Sequence, residues 1–152
     1  MAERSIVHGT FVVERTYPAS PARVFAAWAD PAIKACWFKG PDETGNSTGE
    51  FDFRVGGCES SSGMLPNGQR FRYDALYQDI VPNQRIIYSY DMHLDDDRIS
   101  VSLATIELKP EGAGTRLTVT EHGAYLDGLD TPAQREEGTN LLIDQLGKVL
   151  NI

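Results

Sequence analysis

Apolar and polar residues alternate over long stretches of this chain, and helical spacing interrupts them in only three places. Residues 5–17 put Val7, Gly9, Phe11 and Val13 on one side and His8, Thr10 and Glu14 on the other, a first strand with one wet face. In "SPARVFAAWAD", Ser20 is a natural N-cap and Pro21 suits the first helical position; Val24, Phe25 and Trp28 form an apolar stripe. Asp30-Pro31 repeats the device, with Ile33 and Trp37 as a second short stripe ending near Gly40-Pro41.

From Glu50 the period becomes two. "EFDFRVGG" faces Phe51, Phe53 and Val55 one way, and Gly56-Gly57 permits a sharp turn into the weaker strand "GCESSSGML". After the turn "PNGQ", "RFRYDALYQDIV" sets Phe71, Tyr73, Ala75 and Tyr77 against Arg72, Asp74 and Gln78. "RIIYSYDMH" places Ile86, Tyr88, Tyr90 and Met92 together. In "RISVSLATIEL", Ile99, Val101 and Leu103 face inward until the phase slips near Ala104, where a bulge is expected. "TRLTVTEHG" then carries Leu117, Val119 and Glu121 on the inner face. Short turns join these segments into an antiparallel meander whose apolar face needs a cover.

The cover is the last segment. Thr131 caps it, Pro132 opens it and Gln134 completes a capping box, while Leu142, Leu146 and Val149 lie on one stripe with Leu141 and Leu150 beside it. Residues 1–152 therefore read as one α+β domain: about seven antiparallel strands curved around a long C-terminal helix, with two short helices after the first strand.

Charge narrows the partners. Lys plus Arg number 14 and Asp plus Glu 22, a net charge of −8, so phosphate backbones and anionic lipid surfaces repel the chain. Neither nucleic acid nor a membrane is expected as a partner. No apolar run reaches the roughly 18 residues of a span, and the N-terminus lacks a signal-peptide pattern, so a cytoplasmic protein with Cys36 and Cys58 as free thiols is the expectation. Asn46-Ser47-Thr48 fits a glycosylation pattern that has no meaning without secretion.

The stretches "SPARVFAAWADPAIKACWF", "FDFRVGG", "YDALYQDIVPNQRIIYSY", "GTRLTVTEHG" and "REEGTNLLIDQL", in that order and spanning almost the whole chain, resemble a known pattern. It is the helix-grip fold of the START and birch-pollen-allergen-like (SRPBCC) superfamily, and within it the activator of heat shock protein 90 ATPase-like family. One position departs: the family often has a tryptophan straight after the C-terminal helix glycine, and here it is Thr139. The resemblance implies a cavity between sheet and helix that binds an apolar or amphipathic small molecule. It implies no shared catalytic residue, since members range from binding proteins to enzymes acting on polyketides.

The cavity wall is assigned to Phe53, Met64, Phe71, Tyr73, Tyr77, Tyr88, Tyr90, Val101, Leu103 and Val119 from the strands. Gly138, Leu142 and Leu146 join them from the last helix, and Trp28 and Trp37 close one end. A tyrosine hydroxyl inside a core needs a partner, which favours a polar cavity over solid packing. Gly138 is costly inside a helix, by about 0.5–1 kcal/mol relative to alanine, so it leaves room either for close helix–sheet approach or for a ligand. Glu121 is the one catalytic candidate: pointing inward it would have a raised pKa, but the strand is expected to end by then and to leave it in solvent at the cavity mouth. His8, His93 and His122 fall on outward positions without ligand spacing, so no metal or cofactor is expected. Asp95, Asp96 and Asp97 read as a solvated turn, and Ser60, Ser61 and Ser62 lack a nucleophile context. Asp52 and Arg54 read as a surface pair.

Ligand binding thus ranks first, and an enzyme of cyclase or hydrolase type using the same cavity second. A chaperone-activating module ranks last, because in the named activators that role involves a further N-terminal domain and this chain begins at its first strand. A homodimer is left open.

Overall fold

In the computed structural model, which describes residues 3–39 and 49–151, the strand predicted over residues 5–17 forms as β1 (Ile6–Tyr17). The Gly40-Pro41 stop and the Asn46-Ser47-Thr48 pattern lie outside the described residues. Ser20 accepts from the Arg23 amide at 3.2 Å and starts α1 (Pro21–Ala29). Asp30 ends that helix and caps the next, accepting from the Ala32 amide at 2.9 Å at the head of α2 (Pro31–Lys34). A single turn is all α2 has.

The sheet follows as β2 (Cys58–Met64), β3 (Arg70–Val81), β4 (Arg85–Leu94), β5 (Asp97–Glu111) and β6 (Gly114–Leu126). All neighbours are antiparallel in the order β1-β6-β5-β4-β3-β2, so the first strand closes beside the last. This is the α+β helix-grip arrangement, with six strands among the described residues rather than about seven. The missing one is "EFDFRVGG": Phe51 makes a single bridge to Glu59, after which the Asp52 amide bonds Cys58 and the chain turns at Gly56, whose φ is +83°. Asp52 and Arg54 do pair on the surface there, at 2.8 Å.

Helix α3 (Pro132–Leu150) covers the concave face, with Thr131 accepting from the Gln134 amide at 3.1 Å. Its buried stripe is Arg135, Thr139, Ile143, Leu146, Gly147 and Leu150. Leu142 and Val149 are half-buried and Leu141 is exposed, so the stripe is turned by one residue from the predicted one. The reason is visible at Gly147. A Cβ there would lie 3.0 Å from the Tyr17 ring, and the Tyr17 hydroxyl donates to the Ile143 carbonyl at 2.7 Å. Close approach of helix to sheet is therefore made at Gly147, and Gly138 has nothing within 4 Å of an added Cβ.

The inward phase of β5 also differs from expectation. The bulge lies at Ile99, opposite Met92 and His93 in the ladder with β4, and not near Ala104. From there Ser100, Ser102, Ala104, Ile106 and Leu108 are buried, while Val101 and Leu103 stand 41% exposed on the outer face. One extra residue moves every following side chain to the other face. Val101 and Leu103 are thereby excluded from the cavity wall.

Candidate functional site

Between the inner face of the sheet, the α1–α2 corner and the first half of α3 lies a cavity of about 430 Å³, within the range of small-molecule sites. Its sheet side is Phe71, Tyr73, Tyr88, Tyr90, Met92 and Val119. Trp28, Trp37 and Phe38 come from the helical corner, and Gly138, Thr139, Leu142 and Ile143 from α3. Trp37 is held by its indole N–H donating to the Ala27 carbonyl at 2.9 Å, and its ring meets Trp28 edge-on at 4.7 Å. Where the family resemblance would put a tryptophan, Thr139 lines the wall.

Two buried polar clusters stand at this wall. On the α2 side, Lys34 is 4% exposed and its Nζ donates to Glu59 Oε1 at 2.6 Å. Tyr77 donates to the same oxygen at 2.5 Å. Burial pulls the Lys34 pKa down, and Glu59 opposes that pull by charge and hydrogen bond. The ammonium also sits 4.3 Å from the centre of the Phe38 ring, a cation–π contact that helps hold it in an apolar setting.

On the α3 side, Glu121 is 3% exposed, because β6 runs five residues past it and pairs it with Phe11 and Ala104. The solvent position preferred from sequence is thus corrected: Glu121 faces the cavity. Tyr90 donates to Glu121 Oε2 at 2.8 Å, and Arg135 donates to Tyr90 at 3.0 Å. Arg135 also donates to Asp130 at 2.5 Å and to Ser100 at 2.8 Å. Burial pushes the Glu121 pKa from 4.5 up to about 7, against the Tyr90 hydrogen bond and the Arg135 charge, which lower it. Burial likewise holds the phenols of Tyr73, Tyr88 and Tyr90 well above their usual range, so all three stay protonated.

Of the residues assigned from sequence, Trp28, Trp37, Phe71, Tyr73, Tyr88, Tyr90, Val119, Glu121, Gly138 and Leu142 line the cavity. Met64, on the edge strand β2, is 51% exposed and does not line the cavity. Leu146 is fully buried in the core below the cavity, and Tyr77 is taken up by the Glu59 cluster. Phe53 packs edge-on against Tyr77 at 4.9 Å rather than on the wall. Sequence reasoning missed Lys34, Glu59 and Arg135. A signal existed for two of them: Lys34 is three residues before Trp37, and Arg135 is four before Thr139 and eight before Ile143, each on the buried stripe of its helix.

On the outer face, Asp74, Asp91 and His93 bring ligand atoms within 4.8 Å of one another, with Asp74 already paired to Arg72 and Asp91 to Arg98. Cys36 and Cys58 are exposed free thiols, and the Cys36 Sγ donates to the Ala32 carbonyl at 3.4 Å. Among the described residues no helix is long and apolar enough to cross a membrane.

Residues 18–151 match the model of the family described as activator of Hsp90 ATPase homolog 1-like protein. The Mll3558 protein from Rhizobium loti has a similar structure, with 49% identity, 96% of this chain and 99% of that one covered, and a TM-score of 0.88. An uncharacterized protein from Rhizobium leguminosarum is 41% identical over 99% of both chains, with a TM-score of 0.91. The AHSA1 (SPO3351) protein from Silicibacter pomeroyi, 22% identical over 94% of this chain and 98% of that one, shares the fold at a TM-score of 0.75. None of the curated proteins matches the chain.

Proposed function

The chain belongs to the activator of Hsp90 ATPase homolog 1-like family, and from that premise we propose that it binds an apolar or amphipathic small molecule in the cavity between sheet and C-terminal helix. The observation that carries this reading is Gly138. It lines the cavity at a point where an added Cβ meets nothing within 4 Å. A helix that keeps a glycine beside open space retains a cost it could shed with alanine, and volume for a ligand is the return. A guest that buries about 200 Å² of apolar surface against this aromatic wall gains roughly 5 kcal/mol before ordering costs.

The test is a titration with N-phenyl-1-naphthylamine, an uncharged dye that brightens in apolar surroundings, alongside native mass spectrometry of the purified protein for a retained small molecule. Saturable one-to-one binding is expected, weakened at least about tenfold by Gly138→Leu, a loss of about 1.4 kcal/mol, with the thermal midpoint little changed. Absence of dye binding, or equal loss of binding and folding in the variant, overturns the reading.

A second reading, an enzyme that works in the same cavity, is supported by Glu121. A carboxyl that exchanges its proton near pH 7 beside a bound molecule suits general acid–base chemistry. A ketone probe would then exchange its α-protons with deuterated solvent faster in the wild type than in Glu121→Gln, and equal rates would remove this reading.

A further inference from the structure

Two side chains of the cavity wall carry a buried donor that finds no acceptor among the described residues: Tyr73, through its hydroxyl, and Trp28, through its indole N–H. Both side chains are more than nine-tenths buried, at 6% and 3% exposure. They come from opposite walls, β3 and α1, and are joined by a row of rings. Trp28 meets Trp37, Trp37 meets Phe38 at 5.4 Å, and Phe38 meets Tyr73 at 5.5 Å. A buried polar group without a partner costs about 1–3 kcal/mol, so two of them beside one cavity call for acceptors from outside the protein. Indole N–H can only donate, and burial keeps the Tyr73 phenol protonated.

The cations of the wall point the same way. Lys34 is bonded to Glu59, and Arg135 to Asp130 and, through Tyr90, to Glu121. Each buried cation is thus already matched by a carboxylate, and Lys39 and Glu50, both exposed, offer one charge of each sign at the edge of the cavity. An anionic head group carried inside would be desolvated near Glu59 and Glu121 with no unspent buried cation among the described residues to meet it.

We propose that the cavity selects an uncharged, mainly apolar molecule bearing a carbonyl or ether oxygen, held by the Tyr73 hydroxyl and, where a second acceptor reaches it, by the Trp28 indole N–H. This rests on the ligand-binding reading above and names its substrate class. Carboxylates of the same shape are disfavoured.

Three near-isosteric fluorescent probes test it by competition with N-phenyl-1-naphthylamine at pH 8, where the acid is ionised: 2-acetylnaphthalene, 2-ethylnaphthalene and 2-naphthoate. The wild type is expected to bind the ketone about tenfold tighter than the ethyl compound, as one recovered hydrogen bond allows, and about tenfold tighter than the carboxylate. Tyr73→Phe removes only an unpartnered oxygen, so it should fold as well as the wild type. It should bring the ketone to within about threefold of the ethyl compound and leave the ethyl compound unchanged. A carboxylate that binds as tightly as the ketone overturns the proposal, and so does a ketone preference that survives Tyr73→Phe, which would mean that a donor other than the Tyr73 hydroxyl holds the carbonyl. If the dye and all three probes fail to bind, the ligand-binding reading itself falls. That result is distinct from binding without selectivity, which sinks this inference alone.

Discussion

Replacing Glu121 by glutamine isolates the energetic consequence of burying a carboxyl in this cavity. The folded-state pKa is about 7 against an ordinary value of 4.5. Between those values the folded protein holds a proton that the unfolded chain has released, so stability falls as pH rises. The associated stability is fully present below pH 4.5 and is lost as pH climbs through 7. At about 1.36 kcal/mol per pKa unit, the gap of 2.5 units corresponds to about 3 kcal/mol between pH 4.5 and 8. The groups that face this carboxyl are the Tyr90 hydroxyl, which burial keeps protonated, the Arg135 guanidinium, which keeps its charge, and, behind it, Asp130. Glutamine keeps the shape and an acceptor oxygen for Tyr90 while removing the titration. Urea unfolding of both proteins at half-unit steps from pH 4.5 to 8 should therefore give curves that separate with pH, the variant becoming the more stable by about 3 kcal/mol relative to the acid end. Groups common to both proteins cancel in the difference between the two curves. Parallel curves would refute the reasoning, because they would mean that Glu121 is solvated and ionises at its ordinary pKa.

The two helix glycines should respond in opposite directions. Gly138→Ala meets open space and should stabilise the helix by about 0.5–1 kcal/mol in thermal unfolding. Gly147→Ala should destabilise by about 1 kcal/mol, since its Cβ lands 3.0 Å from a Tyr17 ring that is buried and tethered to Ile143. Lys34→Met leaves Glu59 buried with only Tyr77 and should cost about 3–5 kcal/mol in chemical denaturation. Adding Glu59→Leu to it should restore most of that loss; if the single variant is as stable as the double, the pair is not the buried unit described.

Particular residues show how much of the site could be read in advance. The tyrosines of β3 and β4 were legible because Tyr73, Tyr88 and Tyr90 sit in uninterrupted alternation, and one correct phase places them all. Serines at 100 and 102 were not. Beside Val101 and Leu103 they look like the wet side of a strand, yet they face inward because the Ile99 bulge shifts the phase and Arg135 supplies them with a partner. Glu121 was given the right face and the wrong end, since the strand continues to Leu126.

Local chemistry settled the element order by itself. Caps, turn residues and periods of two or 3.6 act within a few residues of one another, and so Ser20, Asp30, Thr131 and the alternating strands are readable without knowing the rest of the chain. Pairings across the chain belong to the tertiary structure. Lys34 and Glu59 are 25 residues apart, Tyr90 and Glu121 31, and Tyr90 and Arg135 45. A charge on an apolar stripe is tolerable only when another element brings its partner within about 3 Å. Folding also decided which glycine lets the helix touch the sheet and which one leaves a space, because that depends on what stands opposite each: the Tyr17 ring at Gly147, open cavity at Gly138.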